Sequence, residues 1–170
     1  MKKLMIGLLS LIMVVTLVGC SSGDSQKGSV DLSKYPQKFE EWKTSDLMKY
    51  FEEKGVFTNK DWEYVQNQKD PNNPSPKEIT EIGSYMDNDG LVTIFIYYFD
   101  VNGSQDVKKG YEVLKEKKKF RASDWDYDLT ASHMVGQFGF NNLCTNQEVS
   151  QKFEKAFEDL CKDMNVTKDY

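Results

Sequence analysis

The spacing of apolar residues changes several times along this chain, and each change predicts an element. Leu4 to Val18 is a nearly unbroken apolar run, and the polar stretch Ser21 to Ser29 after it has nothing to pack. Pro36 then stands at a first helical turn, and Phe39, Trp42 and Leu47 continue a helical N-terminal region. Ser45 caps a helix from Asp46 to Lys54 whose Leu47, Met48 and Phe51 share one face, and Gly55 stops it. Thr58 or Asn59 caps a second short helix through Trp62 and Val65. Asp70 to Pro76, rich in proline and asparagine, reads as a loop.

A period of two follows. Ile79 to Met86 and Leu91 to Phe99 form a hairpin around Asp87-Asn88-Asp89-Gly90, where the Asp-Gly pair supplies the positive φ of the turn. Its second strand is apolar on both faces, with Val92, Ile94, Ile96 and Tyr98 on one and Phe95, Tyr97 and Phe99 on the other. Such a strand is covered on both sides, or covered on one and offering an aromatic surface on the other.

Two strand-to-helix units then share their punctuation. Ile94 to Phe99 leads through Asn102-Gly103-Ser104 into a helix carrying Val107, Tyr111 and Leu114. Val135 to Leu143 leads through Thr145-Asn146 into one carrying Val149, Phe153, Ala156, Phe157, Leu160 and Met164. Ser104 and Asn146 serve as N-caps, with Asp106 and Glu148 in the first turns. A well-capped strand-to-helix turn explains the likeness more simply than a duplication. Both helices are expected on the same face of one sheet. Between the units, Trp125, Tyr127 and Leu129 alternate with Asp124, Asp126 and Asp128, predicting a strand that pairs with Val135 to Leu143 as a second hairpin. The expected fold is an α+β domain: a three- to four-stranded antiparallel or mixed sheet with helices packed against it.

The apolar run near the start is a different kind of segment. Lys2 and Lys3 precede it, and its roughly 15 residues would span about 22 Å as a helix, short of the ~30 Å bilayer core. That layout is a secretory leader. Leu17-Val18-Gly19-Cys20 resembles the lipobox of bacterial lipoproteins, with Leu three before the thiol and a small residue just before it. The resemblance covers only this targeting segment. It implies cleavage after Gly19, diacylglyceryl attachment to the Cys20 sulfur and retention at the extracytoplasmic face of the cell membrane. Two acyl chains, at ~0.8 kcal/mol per buried methylene, suffice for stable anchoring. Residues 1–19 are then a signal peptide, 20–34 the lipidated cysteine and a flexible tether, and 35–170 a single α+β domain.

Charge narrows the partners. The chain carries a net −5, which becomes −7 once Lys2 and Lys3 are removed, the wrong sign for non-specific nucleic-acid binding. No nucleic acid is expected. Cys144 and Cys161 are both available for a disulfide, but Cys161 falls about 14 residues into the last helix, roughly 20 Å along its axis. A bridge needs Cα atoms about 5.5 Å apart, so two reduced, mostly buried thiols are expected.

Candidate chemistry is sparse. Asp124-Trp-Asp-Tyr-Asp128 opens like a calcium loop, but Leu129 and Val135 stand where that loop needs Gly and Glu, so a strand with solvated acids is the simpler reading. His133, the single histidine, has no catalytic signature around it. Lys115 to Lys119 complements the dipole at a helix end more economically than it forms an anion-binding patch. No catalytic, metal or cofactor-binding residue is expected. Trp62, Tyr64, Trp125 and Tyr127 are the candidate binding surface, because aromatics left exposed together mark an interaction face. The expectation is a membrane-tethered, non-catalytic binding or accessory module that engages a protein, a wall polymer or a small ligand. The alternative is a small carboxylate-dependent extracytoplasmic hydrolase.

Overall fold

The computed structural model describes residues 30–57, 63–86, 92–126 and 128–170. The expected leader, Cys20, most of the expected tether, the expected Thr58 or Asn59 cap and the expected turn at Asp87 to Gly90 lie outside the described residues.

Two 3₁₀ turns, Leu32–Lys34 and Phe39–Glu41, occupy the segment expected to be helical around Pro36. Helix α1 runs Thr44–Glu53, slightly ahead of the expected start. Asp46 reaches back to accept the Lys43 backbone N–H at 2.8 Å, which serves the end that Ser45 was expected to cap. Gly55, at φ 73, follows its end.

Strands β1 (Glu63–Asn67), β2 (Glu81–Met86), β3 (Val92–Tyr98), β6 (His133–Val135) and β7 (Phe138–Asn142) build one antiparallel sheet in the order β1-β2-β3-β7-β6. Strands β4 (Lys119–Arg121) and β5 (Asp128–Thr130) form a separate two-stranded ribbon. The class is α+β, but the sheet has five strands rather than three or four. The extra strand is β1, where Val65 pairs with Gly83 instead of lying on a helix. A strand of this length is decided by the edge it pairs with, not by its own propensity.

β3 is the central strand, and its two apolar faces explain the layers. Ile94, Ile96 and Tyr98 join a cluster with α1, the N-terminal turns and helix α3 (Gln147–Asp163). Tyr97, with Phe95 packed beside it, joins a cluster with Ile82, helix α2 (Gln105–Lys117) and the ribbon. The two capped helices therefore lie on opposite faces, contrary to the single face expected. The reason is burial: with both helices on one side, Phe95, Tyr97 and Phe99 would face water at a cost of roughly 1.5–3 kcal/mol each.

The caps themselves match expectation. Ser104 accepts from the Val107 N–H, and Asn146 accepts from Glu148 and Val149. α2 ends at Lys118 in the left-handed region (φ 60), which turns the chain directly into β4. β5 pairs with β4 and not with β7, correcting the second hairpin. The strand that does pair with β7 is β6, across Gly136-Gln137, where Gly136 takes the positive φ (54°) that a two-residue turn requires. Beyond α3 the C-terminal residues cross the β6 edge, bridging Lys168 to Val135. Cys144 and Cys161 are free and half-buried, less enclosed than expected, and burial raises the Cys161 thiol pKa. No helix among the described residues is long and apolar enough to cross a membrane.

Candidate functional site

The expected aromatic surface is only partly visible. Trp62 and Tyr127 lie outside the described residues, and Tyr64 contributes backbone to β1 opposite Ser84. Trp125 is half-buried against the α2-side cluster, so it is part of the packing there. The neighbouring acids stand in water: Asp124, Asp126 and Asp128 are exposed, and Asp126 lies 3.5 Å from Arg121. Among the described residues no three His, Cys, Asp or Glu side chains are grouped to hold a metal ion.

His133 is held in a network that ties β6 and β7 to α3. Its ring stacks on Phe157 with centroids 4.7 Å apart, and Nε2 lies 2.7 Å from Glu154 Oε2. The other carboxylate oxygen accepts from Asn142 Nδ2 at 2.9 Å, and the same amide donates to Ser150 Oγ. His133 Nδ1 is buried with no hydrogen-bond partner among the described residues. A nucleophilic mechanism needs a hydroxyl or thiol on the imidazole; here the ring meets a carboxylate and a phenyl face, which is an arrangement that joins elements.

The concave feature lies on the other face. A half-open cleft of about 570 Å³ separates α2 from the β4–β5 ribbon and the Lys77-Glu78 loop, within the size range of ligand pockets. Lys77, Lys109, Lys117, Lys119 and Arg121 line it, with Glu78, Asp106 and Asp128 between them. Local folding brings these together. Lys109 and Lys117 lie on one helical face with Val113 between them, since residues four apart stack. Lys119 and Arg121 flank the buried Phe120 on β4, so both stand on its outer side.

Close packing sets the width of the cleft. A Cβ on Gly110 would meet the Glu78 carbonyl oxygen at 2.6 Å, so only glycine lets α2 lie this near the loop. Glu78 in turn accepts from the Ser123 backbone N–H and hydroxyl (3.3 and 2.6 Å), fastening the loop to the chain after β4. Its second oxygen is buried without a hydrogen-bond partner among the described residues.

The cations are only loosely engaged. Lys77 sits 3.9 Å from Asp106, with both side chains more than half exposed, and such pairs contribute about 0–1 kcal/mol. Lys109, Lys117 and Lys119 have no carboxylate at ion-pair distance among the described residues.

The run Lys115 to Lys119 divides between the helix end and the cleft. Lys115 does close the helix region, 2.9 Å from Asp169, whereas Lys117 and Lys119 turn into the cleft. Lys77, Lys109 and Arg121 were not singled out from the sequence; the Lys109-Val113-Lys117 spacing was the signal available. Compared with models of known protein families, with curated proteins and with solved structures, the chain matches none of them.

Proposed function

We propose that this chain is a lipid-anchored extracytoplasmic lipoprotein whose α+β domain is a non-catalytic binding module, with the cleft beside α2 as its binding site. The binding half of the reading is carried by one observation: five cations, against the three carboxylates Glu78, Asp106 and Asp128, line a single cleft in a chain of net charge −5. Grouping like charges costs mutual repulsion within the cleft and focuses field where an anionic ligand would enter. The solvated state of Asp124, Asp126 and Asp128 favours this reading over a carboxylate-dependent hydrolase, whose acid and base need differing, partly enclosed surroundings.

The address rests on Lys2, Lys3, the apolar run and Leu17-Val18-Gly19-Cys20. Its test is expression in a bacterial host fed a labelled fatty acid. The chain should take up label and partition into the detergent phase, and Cys20→Ser should abolish both. Label on the Cys20→Ser chain, or none on the unaltered one, would sink the anchor.

A further inference from the structure

We propose that the cleft between α2 and the β4–β5 ribbon binds a flexible polyanion, a chain carrying phosphate or carboxylate groups at intervals, in preference to a single small anion. This deepens the binding-module reading and rests on the cleft being its site.

Spacing is the first argument. Lys109 and Lys117 are eight residues apart on α2, which is about 12 Å along the axis. A ligand that meets both without drawing the two side chains toward each other carries at least two anionic groups. On the facing wall, Lys119 and Arg121 are two residues apart on a strand, about 6.6 Å. The cleft therefore presents cations in series along two walls rather than converging on one point.

Its floor and its acids narrow the class further. Val113 is half-buried and Phe120 only 8 % exposed, giving the ligand's uncharged linkers an apolar strip to cross. Glu78, Asp106 and Asp128 interrupt the positive field. A bilayer surface is flat and would present its charges to those acids as well as to the lysines. A flexible chain can thread between them and place its charges against cations alone. The exposed pairs Lys77–Asp106 and Arg121–Asp126 are weak enough to be exchanged for ligand contacts at little cost.

The experiment uses the full chain reconstituted in phosphatidylcholine nanodiscs and titrated calorimetrically. The probes are short-chain inorganic polyphosphate, polygalacturonate and orthophosphate, with sedimentation against phosphatidylglycerol vesicles as the membrane arm. At least one of the two polymers should bind, with affinity falling as salt rises, and the polymer that binds identifies the anionic group. Lys109→Gln with Lys117→Gln should weaken that binding about tenfold or more. Lys155→Gln with Lys162→Gln, the same charge change on exposed positions of α3, should leave it unchanged. Lys119→Gln with Arg121→Gln tests the opposite wall, and melting curves show that each variant is folded.

Equal loss in the α2 and α3 pairs would overturn the proposal, as would orthophosphate binding as tightly as either polymer. Binding to the vesicles but to neither polymer would assign the cations to a membrane, and binding to nothing would remove the site. None of these outcomes touches the Cys20 labelling test, so the anchor and the ligand fail separately.

Discussion

The two faces of the sheet are built differently. Among the described residues, the α1/α3 face buries nineteen hydrophobic residues and the α2 face eleven. The first is an aromatic block: Phe51, Phe138, Phe140, Phe153 and Phe157 meet one another, and Tyr35 stacks on Trp42 at 5.0 Å. The second fully buries fewer aromatics, with Phe95, Tyr111, Trp125 and Tyr170 only partly covered, and closes with a ribbon of three-residue strands. A thick core tolerates a plain outer surface, whereas a thin one must hold its helix by close contacts at the rim. Those contacts, Gly110 on Glu78 and the C-terminal residues on α2, are what leave room for a cleft. One face supplies stability and the other supplies shape.

That difference is open to direct attack. Phe140, fully buried between Phe51, Phe153 and Phe157, should cost about 3–5 kcal/mol when replaced by Ala. Phe120→Ala on the ribbon should cost less, about 2 kcal/mol, because Phe120 lines the open cleft and solvent can refill the space it leaves. Urea unfolding would decide it; a Phe120→Ala cost equal to that of Phe140→Ala means the two faces are equally load-sharing and the contrast fails.

Gly110 probes the rim. In an open helix Gly→Ala stabilises by about 1 kcal/mol through backbone entropy. Here the new methyl meets backbone, the Glu78 carbonyl oxygen, and overpacking of that kind costs roughly 1–3 kcal/mol. Net destabilisation of about 1 kcal/mol is expected, and α2 should shift away from the loop and weaken polyanion binding. A stabilised Gly110→Ala variant would show that α2 is not seated where the cleft requires.

The same contrast explains what was legible from sequence. Helices α2 and α3 were readable because Ser104 and Asn146 cap their own next turns, an interaction confined to three residues. The central position of β3 was readable because both its faces are apolar. Which helix covers which face was not, since it depends on the path through β4, β5 and β6, where three-residue strands carry almost no period. β1 was misread for a related reason: Trp62 and Val65 happen to be three apart, while the pairing of Val65 with Gly83 is a tertiary fact. The candidate site divides likewise. Lys117 and Lys119 drew attention as part of a charge run, but a cleft needs Lys77 and Arg121 brought from other elements. Of the four aromatics expected as a binding surface, Trp125 packs half-buried against the α2-side cluster, and Trp62 and Tyr127 lie outside the described residues.

Asn142 tests the join between sheet and α3 on the thick face. Its side-chain amide donates to Ser150 Oγ and Glu154 Oε1, both at 2.9 Å, and the second acceptor is a carboxylate. Hydrogen bonds to charged groups contribute about 1.5–3 kcal/mol when buried, and Glu154 is 41 % exposed, so Asn142→Ala should cost about 1 kcal/mol. Hydrogen exchange should quicken across the first turns of α3 and stay unchanged in α2. Equal quickening in both helices would mean that the two faces are not independently held.

The smallest effect belongs to the C-terminal residues, and pH isolates it. Tyr170 donates its hydroxyl to the Leu114 carbonyl at 3.0 Å, with the Lys118 ammonium over its ring, and Lys115 pairs with Asp169. Burial, with Asp169 adding to it, pushes the Tyr170 phenol up to about 12 from its ordinary 10. The hydrogen bond to Asp169 raises the Lys115 pKa as well. Both groups have folded pKa values above their unfolded ones, so their stabilisation is complete below about pH 10 and is lost as pH climbs through the folded values. An ionised Tyr170 can no longer donate to Leu114, and a neutral Lys115 no longer attracts Asp169. Tyr170→Phe should cost about 0.5 kcal/mol at neutral pH. The gap between it and the unaltered chain should close between about pH 10 and 12, read by melting temperature alongside phenolate absorbance. Because these contacts brace α2, a constant gap through that interval would detach Tyr170 from the support of that helix.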